Sequence, residues 1–355
     1  MQRERVMTDD LVEGMILIDD VVSNDGQLLV TKNTEVTSRI ITRLKFYSIS
    51  FVYIEKKVAK EPKEISYYKT IIASNEFKRF NYSIQTGVKD LEQSINNAIT
   101  YNEDLNVDRL LKNVEDIVDD AGSGLHLMTM IQCIRGYDDL IYVHCLNVAL
   151  ICNVMADWLK MSEKDKQVVT IAGLLHDIGK TVVPKELLLK TTKLTDEEFE
   201  IVKQHAARGY ELIRDRDLDN RIKLAVLQHH ERCDGKGYPF GFQTDRIDKF
   251  SKIVAIADVY DAMTANRVYR QAICPFDVIE TFEKEGYQKY DTKILLTFLE
   301  RISQCYLHAN VLLSDGREGE VIMINNSHLS SPVVKVNDEY VDLYKHKELR
   351  IKSLL

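Results

Sequence analysis

Seven residues that can bind metal ions occur in a fixed order in the middle of the chain, and a fold that uses all of them must bring distant segments together. They are His144, His176, Asp177, His205, His229, His230 and Asp258. So many nitrogen and oxygen donors exceed the needs of one tetrahedral zinc ion, and they suit two octahedral cations that share a bridging ligand. Paired cations of this kind are typical of sites that hydrolyse phosphate esters.

The His-Asp pair is predicted at the end of a helix. His176 and Asp177 follow the apolar run 168–175, and neighbouring side chains on a helix diverge by about 100°. The pair can therefore contact two cations, with the Asp177 carboxylate as the bridge. Gly179 is placed to end the helix, and the Lys180 ammonium is within reach of a phosphate oxygen.

The other ligand candidates each have a simple structural explanation when they are considered alone. A single histidine such as His144, in the apolar helical run 141–159, is more often part of the core. His205 is predicted on the helix that begins at a capping box, 195–198, where an ordinary half-buried histidine is expected. Asp258 follows the apolar run 253–257, and a carboxylate there is costly unless a cation compensates its charge. The array as a whole therefore favours a metal centre.

A turn-rich loop separates the second histidine pair from Asp258. Segment 232–239 contains two glycines, an aspartate and a proline, which together predict a sharply turned loop. Alone it is a tight turn, but beside a metal centre it predicts that Tyr238 lies close to a ligand. Arg267 and Arg270 follow the Asp258 helix. Exposed arginines are usually solvated, but at this position they can clamp a phosphate or stack on a base.

These motifs together resemble the HD-GYP family, a branch of the HD-domain phosphohydrolases. The matching segments are His144, 174–180, His205 with 208–210, 229–232, 234–239 and 258–270. The resemblance spans about residues 126–310, and it rests on the combination of motifs because a lone His-Asp pair is weak evidence. It implies an all-helical, metal-dependent phosphodiesterase that hydrolyses cyclic di-GMP to pGpG or on to GMP, with a hydroxide between the metals as the expected nucleophile.

The resemblance also assigns roles to individual residues. It implies that the seven residues of the array are metal ligands and that iron or manganese is bound. Asp177 and Lys180 would be catalytic, and the substrate would contact Lys180, Tyr238, Arg267 and Arg270.

The metal count depends on one departure from the family pattern. Relatives with a third metal carry a glutamate four residues before the first histidine, where this chain has Leu140. Leucine cannot bind a cation, so we expect two divalent metals, unless Asp138 or Asp139 takes the place of the glutamate.

Composition limits the other functions. The chain has 355 residues and a formal net charge of -8, which argues against a general nucleic-acid surface. An anionic dinucleotide must then be attracted by a local positive site. Six cysteines without a C-x-x-C pair, and no signal-type segment, predict a cytoplasmic protein with reduced thiols. No uninterrupted apolar run reaches the roughly 18 residues of a membrane span.

We predict a mainly α protein with four segments. A small β/α module (1–55, strands at 15–22, 27–31 and 49–54, helix at 38–47) precedes a linker and helical segment (56–125). The catalytic domain (126–310) and a small β unit (311–355, strands at 311–313, 318–324, 333–336 and 340–343) follow. The helical segment has two open interpretations: it packs against the catalytic domain, or it forms a homodimer and passes signals, including those from a regulatory protein partner.

Two alternative functions stay open on the sequence. In the first, the chain is a related HD hydrolase that cleaves cyclic GMP-AMP or another nucleotide at a similar site. In the second, it is a non-catalytic receptor that binds cyclic di-GMP without turnover.

Overall fold

A helical centre with a small β-containing unit at each end makes up the computed structural model, as predicted for a mainly α protein. The structure describes residues 3–23, 26–55, 71–134, 141–190, 192–265 and 272–355. Several residues that the sequence singles out lie outside these ranges, namely Asp138, Asp139, Leu140, Arg267 and Arg270.

The N-terminal unit surrounds its own small core, in which Leu17, Leu44 and Val52 are buried. Its elements are β1 (Arg3–Met7), β2 (Ile16–Leu17), β3 (Val21–Val22), β4 (Leu28–Val30), α1 (Ser38–Phe46) and β5 (Phe51–Glu55). The sheet order is β1-β5-β2, and β3 pairs with β4 in a separate ribbon. The predicted continuous strand 15–22 is therefore wrong, because the chain leaves the first sheet after β2. At this break Asp20 accepts a hydrogen bond from the Lys32 backbone.

The helical centre begins with two long amphipathic helices and continues with shorter ones. Its helices are α2 (Asn75–Thr100), α3 (Val107–Ala121), α4 (Gly124–Ile134), α5 (Ile141–Trp158), α6 (Glu163–Leu175), α7 (Lys185–Leu188), α8 (Asp196–Lys203), α9 (His205–Ile213), α10 (Asn220–Gln228), α11 (Lys249–Thr264), α12 (Pro275–Thr281), α13 (Tyr287–Lys289) and α14 (Thr292–Gln304). A 3-10 helix (Ile178–Val182) follows α6, and a π-helical turn (Phe282–Gly286) joins α12 to α13.

Helix α5 is the central element of this core. All residues from Val143 to Ala156 are buried, and the helix packs against α2, α6 and α11. Its length and hydropathy would also suit a membrane span, but 72% of it is buried inside the fold. A core helix that is apolar on all sides has this same composition.

Helices α2 and α3 form a hairpin that packs on α5 and α6 and shares their core. The buried face of α2 repeats at helical spacing and includes Phe77, Ile84, Leu91 and Ile95. The side chain of Arg216, which follows α9, links the end of this hairpin to the helices of the predicted catalytic domain. It donates hydrogen bonds to the backbone carbonyls of Ala98 and Glu103. The segment therefore packs against the predicted catalytic domain, as in the first of its two interpretations. Homodimerisation through this segment stays a prediction.

The C-terminal unit is one antiparallel sheet with the order β10-β6-β7-β8-β9. Its strands are β6 (Asn310–Leu313), β7 (Glu318–Met323), β8 (Val333–Val336), β9 (Glu339–Asp342) and β10 (Ile351–Leu354). The four predicted strands are confirmed to within a residue or two. The sequence analysis missed β10, an edge strand with only one partner, and it likewise missed β1 at the edge of the N-terminal sheet.

Replacement of Arg216 by alanine tests the link between the hairpin and the catalytic helices. The variant should lose about 2 kcal/mol of unfolding free energy, because charge-assisted bonds to the Ala98 carbonyl in the last turn of α2 and to the Glu103 carbonyl in the loop after it are lost. The measurement is the urea unfolding midpoint. Arg214→Ala is the control, since Arg214 is half-exposed and its ion pairs to Glu211 and Asp215 lie on the surface. Equal midpoints for the two variants would contradict the prediction.

Candidate metal centre

The fold brings the seven predicted ligands together at the ends of four helices and within a fifth. Their donor atoms form two groups, in each of which the atoms lie within 4.8 Å of one another. The first group is Asp177, His205, His229 and His230, and the second is His144, His176 and Asp258.

Two local predictions around these ligands are wrong. His205 is not on the helix that begins at the capping box: α8 ends at Lys203, and His205 is the first residue of α9. The capping box itself, Thr195 with Glu198, is confirmed. Gly179 does not end α6, which already stops at Leu175. Instead, a Cβ on Gly179 would lie 1.9 Å from the carbonyl oxygen of His205. The glycine therefore lets the 3-10 helix contact α9.

Backbone carbonyls set the proton position on three of the histidines. The Nδ1 atoms of His176, His205 and His229 lie 2.8, 2.7 and 2.9 Å from the carbonyls of Gly173, Val202 and Val226, respectively. A carbonyl only accepts, so each Nδ1 carries the proton and donates. The Nε2 lone pair of each ring is then directed into the site, which is the form in which a neutral imidazole binds a metal.

The arrangement of the freed nitrogens fits bound cations. His205 Nε2 and His229 Nε2 are 3.2 Å apart, and Asp177 Oδ1 lies 3.3 and 3.8 Å from them. In this tautomer all three atoms are acceptors, so they repel one another unless a positive charge lies between them. His176 Nε2 and Asp177 Oδ1 are buried and have no hydrogen-bond partner in the described ranges. Uncompensated burial of such groups is costly, and divalent cations would remove this cost.

The carboxylates of Asp177 and Asp258 each lie between the two groups of donor atoms. Asp177 Oδ1 faces His205 and His229, while its Oδ2 lies 3.3 Å from His176 Nε2 and 3.6 Å from His144 Nε2. Asp258 Oδ1 lies 3.0 Å from His144 Nε2, and its Oδ2 lies 3.8 Å from His230 Nδ1. Each carboxylate thus lies between the two groups, with one oxygen near each.

Charged neighbours keep both carboxylates ionised. Burial raises the pKa of Asp177, but the Lys180 ammonium beside it outweighs this effect, so that the pKa lies well below its usual range. At Asp258 burial is likewise outweighed by His144 and the other imidazoles whenever these are protonated, which holds the pKa of this carboxylate well below its usual range. Burial lowers the pKa of His205 and of His229, which leaves their rings neutral near pH 7. Ionised carboxylates and neutral imidazoles are the ligand forms that cations require.

Asp261 is a site residue that the sequence analysis missed. Its Oδ2 lies 2.8 Å from His144 Nδ1, so this nitrogen donates and His144 Nε2 is directed towards Asp258 and Asp177. Asp261 is buried on α11, one turn after Asp258. Its three-residue spacing from Asp258 places both carboxylates on one helix face, and this spacing could have identified it.

The loop after the second histidine pair is organised by Glu231, whose role was also missed. The buried Glu231 carboxylate accepts hydrogen bonds from the backbone of Phe240 and Phe242. The predicted sharp turn in segment 232–239 is confirmed, since Gly235 has a φ of 74°, and Gly241 makes a further turn beyond that segment with a φ of 67°. This loop packs the ring of Tyr238 on that of His230, with centroids 4.6 Å apart.

Lys180 lies at the edge of the metal centre, and its ammonium is bound to one of the proposed ligands. Its Nζ donates to Asp177 Oδ2, and the side chain is 18% exposed. It therefore positions the proposed bridging carboxylate and still borders solvent. The roles of Lys180 and Tyr238 towards a substrate stay predictions. Arg267 and Arg270 lie outside the described residues, and their roles also stay predictions.

A Gly179→Ala substitution tests the contact beside His205. The added methyl group would displace the His205 backbone, and metal affinity should fall about tenfold or more, as when groups that orient a ligand are lost. Isothermal titration with Mn²⁺ measures this affinity. Gly87→Ala is the control, because a Cβ there meets only side chains at 3.4 Å or more. Unchanged Mn²⁺ affinity in Gly179→Ala would contradict the assignment of His205 as a ligand.

An Asp261→Asn substitution tests the support of His144. An amide is similar in size but neutral, and it holds the Nδ1 proton less firmly. Metal affinity should fall about 10–100-fold, the usual effect of losing a carboxylate partner of a ligand histidine, while circular dichroism stays unchanged. Asp157→Asn, on α5 but 58% exposed, is the matched control. If both variants bind Mn²⁺ like the parent, Asp261 has no role in the site.

Comparisons with known proteins agree with the fold and identify the family. A profile of the HD domain family matches residues 114–294. A cyclic di-GMP phosphodiesterase of Pseudomonas aeruginosa is 32% identical over 230 residues, which cover 63% of this chain and 55% of that protein. A 3'3'-cGAMP-specific phosphodiesterase of Vibrio cholerae is 33% identical over 165 residues, which cover 44% of this chain and 30% of that protein. The matched region is thus about half of the first relative's length and less of the second's.

A solved structure shares the fold. An HDG"Y"P protein from Bdellovibrio bacteriovorus superposes with a TM-score of 0.50 over 84% of this chain and 98% of that chain, at 16% sequence identity. The family profile covers half of this chain, and the His-Asp pair at 176–177 and the Gly-Tyr-Pro loop at 237–239 lie within it. The chain belongs to the HD domain family and, within it, to the HD-GYP type.

Proposed function

We propose that this protein is a metal-dependent phosphodiesterase that hydrolyses cyclic di-GMP to pGpG or on to GMP. The observation that carries the proposal is the pair of buried carboxylates, Asp177 and Asp258, each of which extends between two groups of imidazole nitrogens. The named activity of the Pseudomonas aeruginosa relative supports the choice of substrate.

The donor set supports two divalent cations. We propose that these cations are iron or manganese. Imidazole and carboxylate ligands suit Fe²⁺ and Mn²⁺, whereas thiolates, which select softer metals, are absent from both groups. Counting both oxygens of Asp177, each group supplies four donors, and these residues would hold a cation while leaving room beside it for water and substrate. Leucine at position 140 cannot hold a third cation, so two are proposed unless Asp138 or Asp139 takes the place of the glutamate.

Different residues of the chain would have different roles in hydrolysis. Bound divalent cations act as Lewis acids on phosphoryl oxygens and lower the pKa of water towards neutrality. Asp177 orients the reacting groups by spanning both cation positions, and Lys180 adds positive charge beside the phosphoryl group. Tyr238, Arg267 and Arg270 would bind the rest of the nucleotide.

Cyclic GMP-AMP is the second candidate substrate. It is favoured by the Vibrio cholerae relative, which is named for that substrate and matches this chain with similar identity. Both substrates are cyclic dinucleotides with two phosphodiesters, so the metal centre alone does not separate them.

A cytoplasmic location is part of the proposal, because all six cysteines are free thiols and such cysteines suit a reducing compartment. Homodimerisation and a regulatory protein partner are further proposals, and neither is required for the chemistry at the metal centre.

Anaerobic incubation of Fe²⁺- or Mn²⁺-loaded protein with cyclic di-GMP, followed by chromatography, tests the function. We expect pGpG or GMP, and we expect none from the double variant His176→Ala/Asp177→Ala, since it loses ligands of both cation positions. His126→Ala is the matched control, because His126 lies outside the array and pairs with Glu76.

Each other outcome points to a different function. Turnover that persists in the double variant after removal of contaminating nucleases would overturn the assignment. Faster cleavage of cyclic GMP-AMP would favour the second substrate. Tight binding of cyclic di-GMP without product would indicate a receptor.

A further inference from the structure

A lysine between two aromatic rings borders the metal centre. Lys203 Nζ lies 4.8 Å from the ring centroid of Phe199 and 5.7 Å from that of Tyr238. The Tyr238 ring in turn packs on His230 and, edge-on at 6.4 Å, against His205. The ammonium of Lys203 is therefore one aromatic ring away from two of the proposed metal ligands.

The contacts of this lysine leave it accessible to an anion. Its ion-pair partner, Glu200, is 66% exposed, and the lysine side chain itself is 28% exposed. A pair of this kind is weak because water screens it, so a phosphate can replace the carboxylate. The electron-rich faces of Phe199 and Tyr238 hold the ammonium in place without neutralising it.

Lys180 cannot take the same role, since its Nζ is bound to Asp177 inside the metal centre. A cyclic dinucleotide has two phosphodiesters, and the cations with Lys180 act on the one that is cleaved. The second phosphodiester remains charged and lies outside the centre, where the net-acidic chain would repel it. A separate cation beside Tyr238 removes this repulsion.

We infer that Lys203 binds the phosphodiester that is not being cleaved, and thereby selects cyclic dinucleotides over single phosphodiesters. This inference rests on the proposed function. Lys203 does not touch the reacting atoms, so it should affect substrate binding and not the chemical step.

The test compares Lys203→Gln with the parent on two substrates. For cyclic di-GMP, KM should rise about tenfold with little change in kcat, because one charge-assisted contact to the bound phosphate is lost. Bis(p-nitrophenyl) phosphate has a single phosphodiester, so its hydrolysis should proceed at the parent's rate, with equal metal content. Lys203→Arg keeps the charge and should recover part of the KM. Lys164→Gln removes an equal charge from the exposed start of α6 and controls for general electrostatic attraction.

The possible outcomes separate this inference from the function on which it rests. An unchanged KM for cyclic di-GMP in Lys203→Gln overturns the inference alone. Equal losses on both substrates, with lower metal content, also overturn it, because Lys203 would then only support the His205 backbone. A parent protein that hydrolyses bis(p-nitrophenyl) phosphate but not cyclic di-GMP overturns the proposed function, and this inference with it.

Discussion

Two ionised carboxylates buried among five histidines are the feature on which the catalytic half of this structure depends. Asp177 and Asp258 are almost fully buried. The Nε2 atoms of His176, His205 and His229 that face Asp177 are acceptors in the tautomer that the backbone imposes. An apolar helical core tolerates such a cluster only when positive charge is supplied. Lys180 supplies one such charge, and cations are needed for the remainder. Metal binding and folding of this core are therefore thermodynamically coupled.

Close helix packing gives the cluster its geometry. Helices α5 and α6 approach so tightly at Gly173 that a Cβ there would lie 2.8 Å from the Cα atom of Ala149. This contact lies one turn before His176, and the Gly179 contact with α9 lies three residues after it. The His-Asp pair is thus fixed on both sides by backbone contacts that exclude any larger side chain. A rigid frame of this kind holds ligand atoms in place before a metal binds.

Features of this site that depend on residues close together in sequence could be predicted, whereas features that depend on contacts between distant segments could not. The order of the ligands and the capping box at Thr195 are local patterns, and the sequence was sufficient for both. The helix break at Gln204 was not predictable in this way, because the contact between Gly179 and the His205 carbonyl joins residues that are distant in sequence. The roles of Asp261 and Glu231 depend on partners in other elements or in a folded loop. The edge strands β1 and β10 were missed because each is defined by a partner elsewhere in the chain.

The charges at the centre also explain how an acidic protein can hold an anionic substrate. Asp177, Asp258 and Asp261 carry three negative charges next to the histidines, and Lys180 compensates one of them. Two divalent cations would leave an excess of two positive charges, or of one when they hold a hydroxide, and this excess would attract the two negatively charged phosphodiesters of a cyclic dinucleotide. Electrostatic attraction is then confined to the place where catalysis occurs, while the net charge of -8 on the whole chain discourages binding of longer nucleic acids. The proposed preference for a small anionic substrate therefore does not require a basic surface, because the positive charge would lie at the metal centre.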